Sequence, residues 1–199
     1  MRNRNEVSYY PEIQAFIEAQ LKSNFLASNH RELYVFWGIG ELKSNLQNII
    51  KEHPEECSCV AAFAQRVPPL SLDIFALVTD GEKFELLILE IKLVKSAGLS
   101  QWSQLMGYCL VSGAKYGLLV NIDNGGSPRL MQMLHTERHI SNIQTIVNNQ
   151  LHEHLLGFMQ WNSFTHNFEY SNLGVIKSLS ELSDRLAAGF AKNPNEQVS

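Results

Sequence analysis

Asp73, Glu90 and Lys92 carry charge inside two of the most apolar stretches of the chain, Leu72 to Thr79 and Phe84 to Leu93. An ionised side chain buried without a partner costs several kcal/mol, or shifts its pKa until it is neutral. Three such groups in neighbouring core segments point to a site for something charged. Two close carboxylates repel, and a hard divalent cation relieves the repulsion. Mg²⁺, or Mn²⁺ in its place, takes one or two protein carboxylates and keeps waters for a substrate. Water activated beside a lysine is a nucleophile, and the cation stabilises charge on a phosphoryl oxygen. The chemistry these residues suit is phosphodiester hydrolysis. A structural lysine–carboxylate pair accounts for the same residues without any chemistry.

The elements that must position them follow from side-chain alternation. On a strand, Glu90 and Lys92 share a face and Ile91 takes the other. Asp80-Gly81 is a hairpin signal between the two charged strands. A loop of even length, either Asp80-Gly81 alone or Asp80 to Lys83, puts Asp73 on the face of Glu90 and Lys92. In the longer case Asp73 stands directly opposite Glu90, at cross-strand contact distance. A loop of odd length breaks the arrangement unless a bulge restores it. A helix from about Ser100 to Ser112 follows, with Ser100 as N-cap and Gly113 as its stop. On it Gln101, Gln104 and Tyr108 share one face, while Trp102, Leu105, Met106 and Cys109 mostly form the other.

Asp73, then Glu90-Ile91-Lys92, then Gln104-x-x-x-Tyr108 ahead of a strand at Tyr116 resembles the PD-(D/E)XK nuclease superfamily. The Gln-x-x-x-Tyr element is similar to that of RecB-type nuclease domains, and the likeness spans roughly Glu12 to Ile122. It implies an α/β fold of restriction-endonuclease-like type: a mixed central β-sheet flanked by helices, here extended by a C-terminal β-hairpin and helix. It further implies that Asp73, Glu90 and the backbone carbonyl of Ile91 hold Mg²⁺ or Mn²⁺, and that Lys92 orients or activates the attacking water. Gln104 and Tyr108 would position the metal site or the nucleic-acid backbone. An acid on the first helix often joins the set; Glu12 is the candidate, Glu18 the second. Leu72 stands before Asp73 where the family's name has proline, a variable position. The resemblance leaves two readings: a metal-dependent deoxyribonuclease acting in restriction, repair or mobile-element defence, and a catalytically inactive nuclease-fold module that binds nucleic acid or serves assembly. Duplex cleavage usually needs two sites, which suggests a homodimer on DNA.

The remaining elements read as follows. Tyr9 to Ser28 has helical spacing with Pro11 in its first turn, and Asn29-His30 ends it. Leu33 to Trp37 is β-prone, and Glu41 to Lys51 is an amphipathic helix stopped by Pro54. Ser58 to Gln65 reads as strand, Tyr116 to Ile122 as a buried strand, and Arg129 to Leu134 as a short helix. Asn142 to Val147 is strand or helix. Leu155 to Trp161 and Asn167 to Tyr170 form a hairpin around Asn162-Ser163, and Ser180 to Phe190 is a helix capped by Ser178 or Ser180. Residues 1–192 read as one domain and 193–199 as a disordered tail.

Composition sets the outer limits. The chain has 199 residues, 45% of them hydrophobic and 18% charged, which is globular rather than disordered usage. A formal charge of −4 gives no support to a generally basic nucleic-acid binder and does not exclude one, because a metal ion or a local patch such as Lys95, Lys115, Arg129 and Arg138 can offset the field. The three cysteines lack zinc-site spacing and read as free thiols. No signal-peptide core or membrane-length apolar run is present, so a cytoplasmic protein without membrane contact is expected. His152-Glu153-His154, His135 with His139, and Gly38-Ile39-Gly40 are weak motifs, read as solvated loop, surface and turn.

Overall fold

The computed structural model describes residues 5–147 and 149–191, and alternation along its strands divides the apolar side chains into two cores. A 3₁₀ turn (Glu6–Tyr9) leads into α1 (Tyr10–Asn29), then β1 (Tyr34–Glu41), α2 (Leu42–Glu52), α3 (Ala61–Arg66), β2 (Ser71–Thr79) and β3 (Phe84–Lys92). There follow α4 (Leu99–Ser112), β4 (Tyr116–Ile122), α5 (Pro128–Thr136), β5 (Asn142–Val147), β6 (Gln150–Asn162), β7 (Asn167–Gly174) and α6 (Leu179–Phe190). The strands form one seven-stranded sheet in the order β1-β2-β3-β4-β6-β5, with β7 also paired to β6. The β1–β2–β3 pairings are antiparallel, β3–β4–β6 parallel, and β5 and β7 antiparallel to β6. The protein is therefore α/β, with a mixed sheet between helices.

Which helix covers which face follows from the alternation. Ile74, Ala76, Leu87, Leu89 and Ile91 face α1 and α6, whose Ile13, Ile17, Leu182 and Leu186 are buried against them. Phe75, Leu77, Leu86 and Ile88 face the layer of α2 to α5, with Leu46, Trp102, Leu105 and Leu130 in its core. Close approach governs one glycine here: a Cβ on Gly38 would enter the Phe75 ring. At Gly113, φ is +75°, the left-handed conformation that closes α4 at the expected stop.

The β2–β3 loop has four residues, because Thr79 pairs with Phe84. Asp80 Oδ1 accepts from the backbone N–H groups of Glu82 and Lys83, and the Thr79 hydroxyl donates to the Lys83 carbonyl at 2.7 Å. Asp80 Oδ2 meets Arg31 at 2.8 Å, which ties the turn to the end of α1.

Local expectations differ at three places. Ser58 to Gln65 is not a strand but a 3₁₀ turn (Ser58–Val60) running into α3. Its buried residues Cys57, Val60 and Ala64 have helical spacing, and its alanines favour helix. Next, α4 starts one residue before Ser100: Gly98 is its N-cap, and its N–H donates to the Gln101 side chain at 2.9 Å. Finally, Asn142 to Val147 is strand, and the C-terminal hairpin is longer than expected, with β6 reaching back to Gln150. The expected hairpin and terminal helix are present, but the hairpin is part of the main sheet rather than an extension, because β6 pairs with β4; Ser178 caps α6. Residues 193–199 lie outside the described residues. Among the described residues no helix is long and apolar enough to cross a membrane.

Candidate active site

The four-residue loop fixes the parity. Ile74 pairs with Leu89 at the last step of the β2–β3 ladder, and Asp73 lies just beyond it beside the end of β3, where β2 carries an extra residue: Leu72 and Phe75, three apart, both enter the core under α2 to α5. Lys92 lies between Asp73 and Glu90: Nζ is 2.8 Å from Asp73 Oδ2 and 2.6 Å from Glu90 Oε1. The Ile91 N–H also donates to Asp73 Oδ2, at 3.3 Å. Ile91 thus reaches the cluster through its backbone while its side chain is buried in the other core.

Glu90 is the most unusual member. It is 0% exposed, and neither carboxylate oxygen has a hydrogen-bond partner. The contact from Lys92 is an ion pair made off the hydrogen-bond angle. Burial pushes the Glu90 carboxyl up to about 7, Lys92 pulls it back, and the negative charge of Asp73 adds to the rise. For Lys92, burial alone would lower the pKa, but the carboxylates of Asp73 and Glu90 outweigh it and hold the ammonium above its ordinary range. Lys92 therefore stays charged, and Glu90 is the group able to exchange a proton near neutrality. Asp73 and Lys92 keep 25% and 17% of their side-chain surface, so the buried Glu90 lies beneath an opening to solvent.

A third acid joins from the opposite layer. Glu6, in the 3₁₀ turn ahead of α1, accepts from the Leu93 N–H at 3.2 Å and lies 3.9 Å from Lys92 Nζ. Tyr10 donates to Glu6 Oε1 at 3.2 Å. Burial raises the Tyr10 phenol, with the charges of Asp73 and Glu6 contributing, so it remains a donor. Glu12 and Glu18, the expected first-helix acids, point elsewhere. Glu12 accepts from Trp161 Nε1 at 3.1 Å and lies 3.4 Å from His166, while Glu18 accepts from Trp37 Nε1 at 2.9 Å. The reason is phase. Glu12 and Glu18 lie on faces of α1 turned to Trp161 of β6 and Trp37 of β1, whereas Glu6 sits before the helix at the end of β3. The signal was available as Glu6-x-x-x-Tyr10, a four-residue spacing preceded by Asn5, which caps the 3₁₀ turn.

Gln104 and Tyr108 do share a face of α4 and bond each other at 2.8 Å, on the layer that Glu90 faces. Neither hydrogen-bonds to Asp73, Glu90 or Lys92 among the described residues. Beside Lys92 in register is Asn121, buried on β4. Its side chain accepts from the Val94 N–H and donates to the carbonyls of Val94 and Gly125, fastening the segment after β3 to the loop after β4.

The other motifs resolve as structure. His154 is buried, with Nδ1 2.7 Å from the Ala114 carbonyl and Nε2 3.2 Å from the Thr145 hydroxyl. His139 lies 3.5 Å from Glu137. Gly38 to Gly40 is a register shift between β1 and β2, and Glu41 caps α2. The four cations named for a DNA patch do not come together. Lys115 pairs with Glu85 at the start of β4 and Arg138 lines a cavity beside α5, while Lys95 and Arg129 are exposed near the joined loops.

Asp73 and Glu90 offer oxygen donors only, the kind a hard divalent cation takes, and the orphaned Glu90 oxygens lack the partner such an ion provides. Among the described residues no three His, Cys, Asp or Glu side chains are arranged to hold a metal, and the Lys92 ammonium stands between the two carboxylates. No protein-family model, curated protein or solved structure matches the chain.

Proposed function

We propose that the protein is a Mg²⁺- or Mn²⁺-dependent nuclease of restriction-endonuclease-like fold, acting on DNA. The observation that carries the reading is the buried Glu90, without a hydrogen-bond donor, gathered with Asp73 around the Lys92 ammonium. Asp73 and Glu90 would hold the cation, which supplies charge neutralisation at the carboxylates and at the phosphodiester. Lys92, kept protonated, would orient the attacking water and the scissile phosphate rather than take a proton. Glu6 and Tyr10 would set the position of the Lys92 ammonium from the other side. Gln104 and Tyr108, linked on α4, would contact the nucleic-acid backbone as a pair.

Purified protein is expected to cleave at least one member of a panel of duplex, single-stranded and branched DNA when Mg²⁺ or Mn²⁺ is added, and to lose cleavage in Glu90→Ala and Lys92→Ala. RNA in the same panel tests the preference for DNA. Cross-linking and light scattering test the homodimer. The short distances from Lys92 to both carboxylates favour one rival, a nuclease-fold module in which the ammonium takes the place of a metal. DNA binding without turnover under any metal would select that rival.

A further inference from the structure

Well away from Glu90, α5, the turn after it, the start of β5, the end of β7 and the start of α6 enclose a cavity of about 470 Å³. Asn142 in its wall is level with Leu155 and Tyr116, at the start of β4, whereas Lys92 is level with Asn121 near the end of that strand. The two places are at opposite ends of the sheet.

The cavity is lined by Arg138, Lys177 and Arg185, with His135 beside them and one carboxylate, Glu181. That carboxylate is already engaged: it accepts from Arg185 at 2.9 Å and from the Lys177 N–H at 3.0 Å. Three cations so gathered are unexpected in a protein of formal charge −4. Arg185 Nε is buried without an acceptor. The Arg138 and Lys177 side chains are exposed and have no hydrogen bond or ion pair among the described residues. The N-terminus of α6 adds positive potential through its backbone N–H groups. Leu134, Leu173 and Val175 supply an apolar wall, and Asn142 Oδ1 is a buried acceptor with no donor.

We infer that this cavity binds a phosphorylated small molecule of about nucleotide size. The phosphate would lie against Arg138, Lys177 and Arg185, where donors outnumber acceptors. The uncharged part would lie on the aliphatic wall of Leu134, Leu173 and Val175. The volume falls in the range of small-molecule sites, roughly 300–1,000 Å³.

Calorimetric titration of the full chain with inorganic pyrophosphate, AMP and uncharged adenosine tests this. Pyrophosphate and AMP are expected to bind and adenosine is not. Arg138→Glu and Lys177→Glu should each weaken binding at least about tenfold, equivalent to about 1.4 kcal/mol. Both positions are exposed, so unchanged melting curves check that the fold is intact. Glu90→Gln should bind as wild type does, which separates this cavity from the Glu90 cluster. A 5′-phosphorylated oligonucleotide that displaces AMP, where its unphosphorylated twin does not, would identify the phosphate as a strand end; failure to displace identifies a free nucleotide. The inference is overturned if no phosphate probe binds up to about 10 mM, if adenosine binds equally well, or if the charge reversals leave binding unchanged.

Discussion

Strand β3 carries a partly buried carboxylate near its start and a fully buried one near its end, and the two are handled differently. Near its start, Glu85 lies 3.7 Å from Lys115, and both side chains keep contact with solvent. Burial raises the Glu85 carboxyl and Lys115 partly offsets the rise. That is one acid with one base. Near its end, Lys92 serves Glu90, Asp73 and Glu6 together, and Glu90 has no exposure and no hydrogen-bond donor. Both carboxyls are shifted the same way by the same cause. What separates them is the balance of charge, which closes at Glu85 and stays open at Glu90. Burial of an acid is thus a poor marker of a site; an acid buried with too few cations is a better one.

The comparison can be broken most sharply by activity. Glu90→Gln should lower metal-dependent cleavage at least about 10³-fold, the scale of several kcal/mol of lost electrostatic stabilisation. Glu85→Gln should leave cleavage within about twofold of wild type. Equal losses would abolish the distinction. Next in size is stability without metal, read by urea unfolding. Lys92→Met leaves a buried carboxylate uncompensated and should cost about 3 kcal/mol, whereas Lys115→Met, at a partly solvated pair, should cost less than about 1 kcal/mol.

The pH dependence sharpens the same contrast. Glu90 titrates near 7 in the fold against 4.5 ordinarily, so between those values the folded state binds more protons than the unfolded one. Stability therefore falls as pH rises from 4.5 to 7, by up to about 3 kcal/mol, and levels off above. Glu90→Gln should remove most of that slope, and Glu85→Gln a smaller part. A metal-free protein whose stability rises over this range would show that Glu90 is not held as described. The smallest effect is metal binding itself. Saturating Mg²⁺ should raise stability by about 1–2 kcal/mol, seen as a few degrees in the melting temperature. Glu90→Gln should abolish the rise, Glu6→Gln reduce it, and Glu12→Gln leave it unchanged.

Much of this was readable from local pattern. The four-residue loop and the nearness of Asp73 to Lys92 follow from two neighbouring strands and a hairpin signal, and α4 follows from its apolar spacing and Gly113. What local pattern could not supply was set by contacts between distant parts of the chain. Glu6 enters the cluster only because the 3₁₀ turn ahead of α1 is carried to the end of β3. Likewise β6 is long because three strands use it, and no window of its own sequence states that. The misreading of Ser58 to Gln65 was of another kind, a choice of strand over helix in a short run where both were open.

The turn from Asp80 to Lys83 ties inheritance to arithmetic. Its Asp80 side chain binds the turn's own backbone N–H groups and Arg31, so substitutions there would disturb a local set of bonds that other residues could replace. A change of length is another matter. One residue added or removed, with no bulge to absorb it, would undo the Ile74–Leu89 pairing or turn Glu90 and Lys92 to the other face of the sheet. Among descendants of this chain that keep the cluster, the turn is free to vary in spelling but must change length in twos.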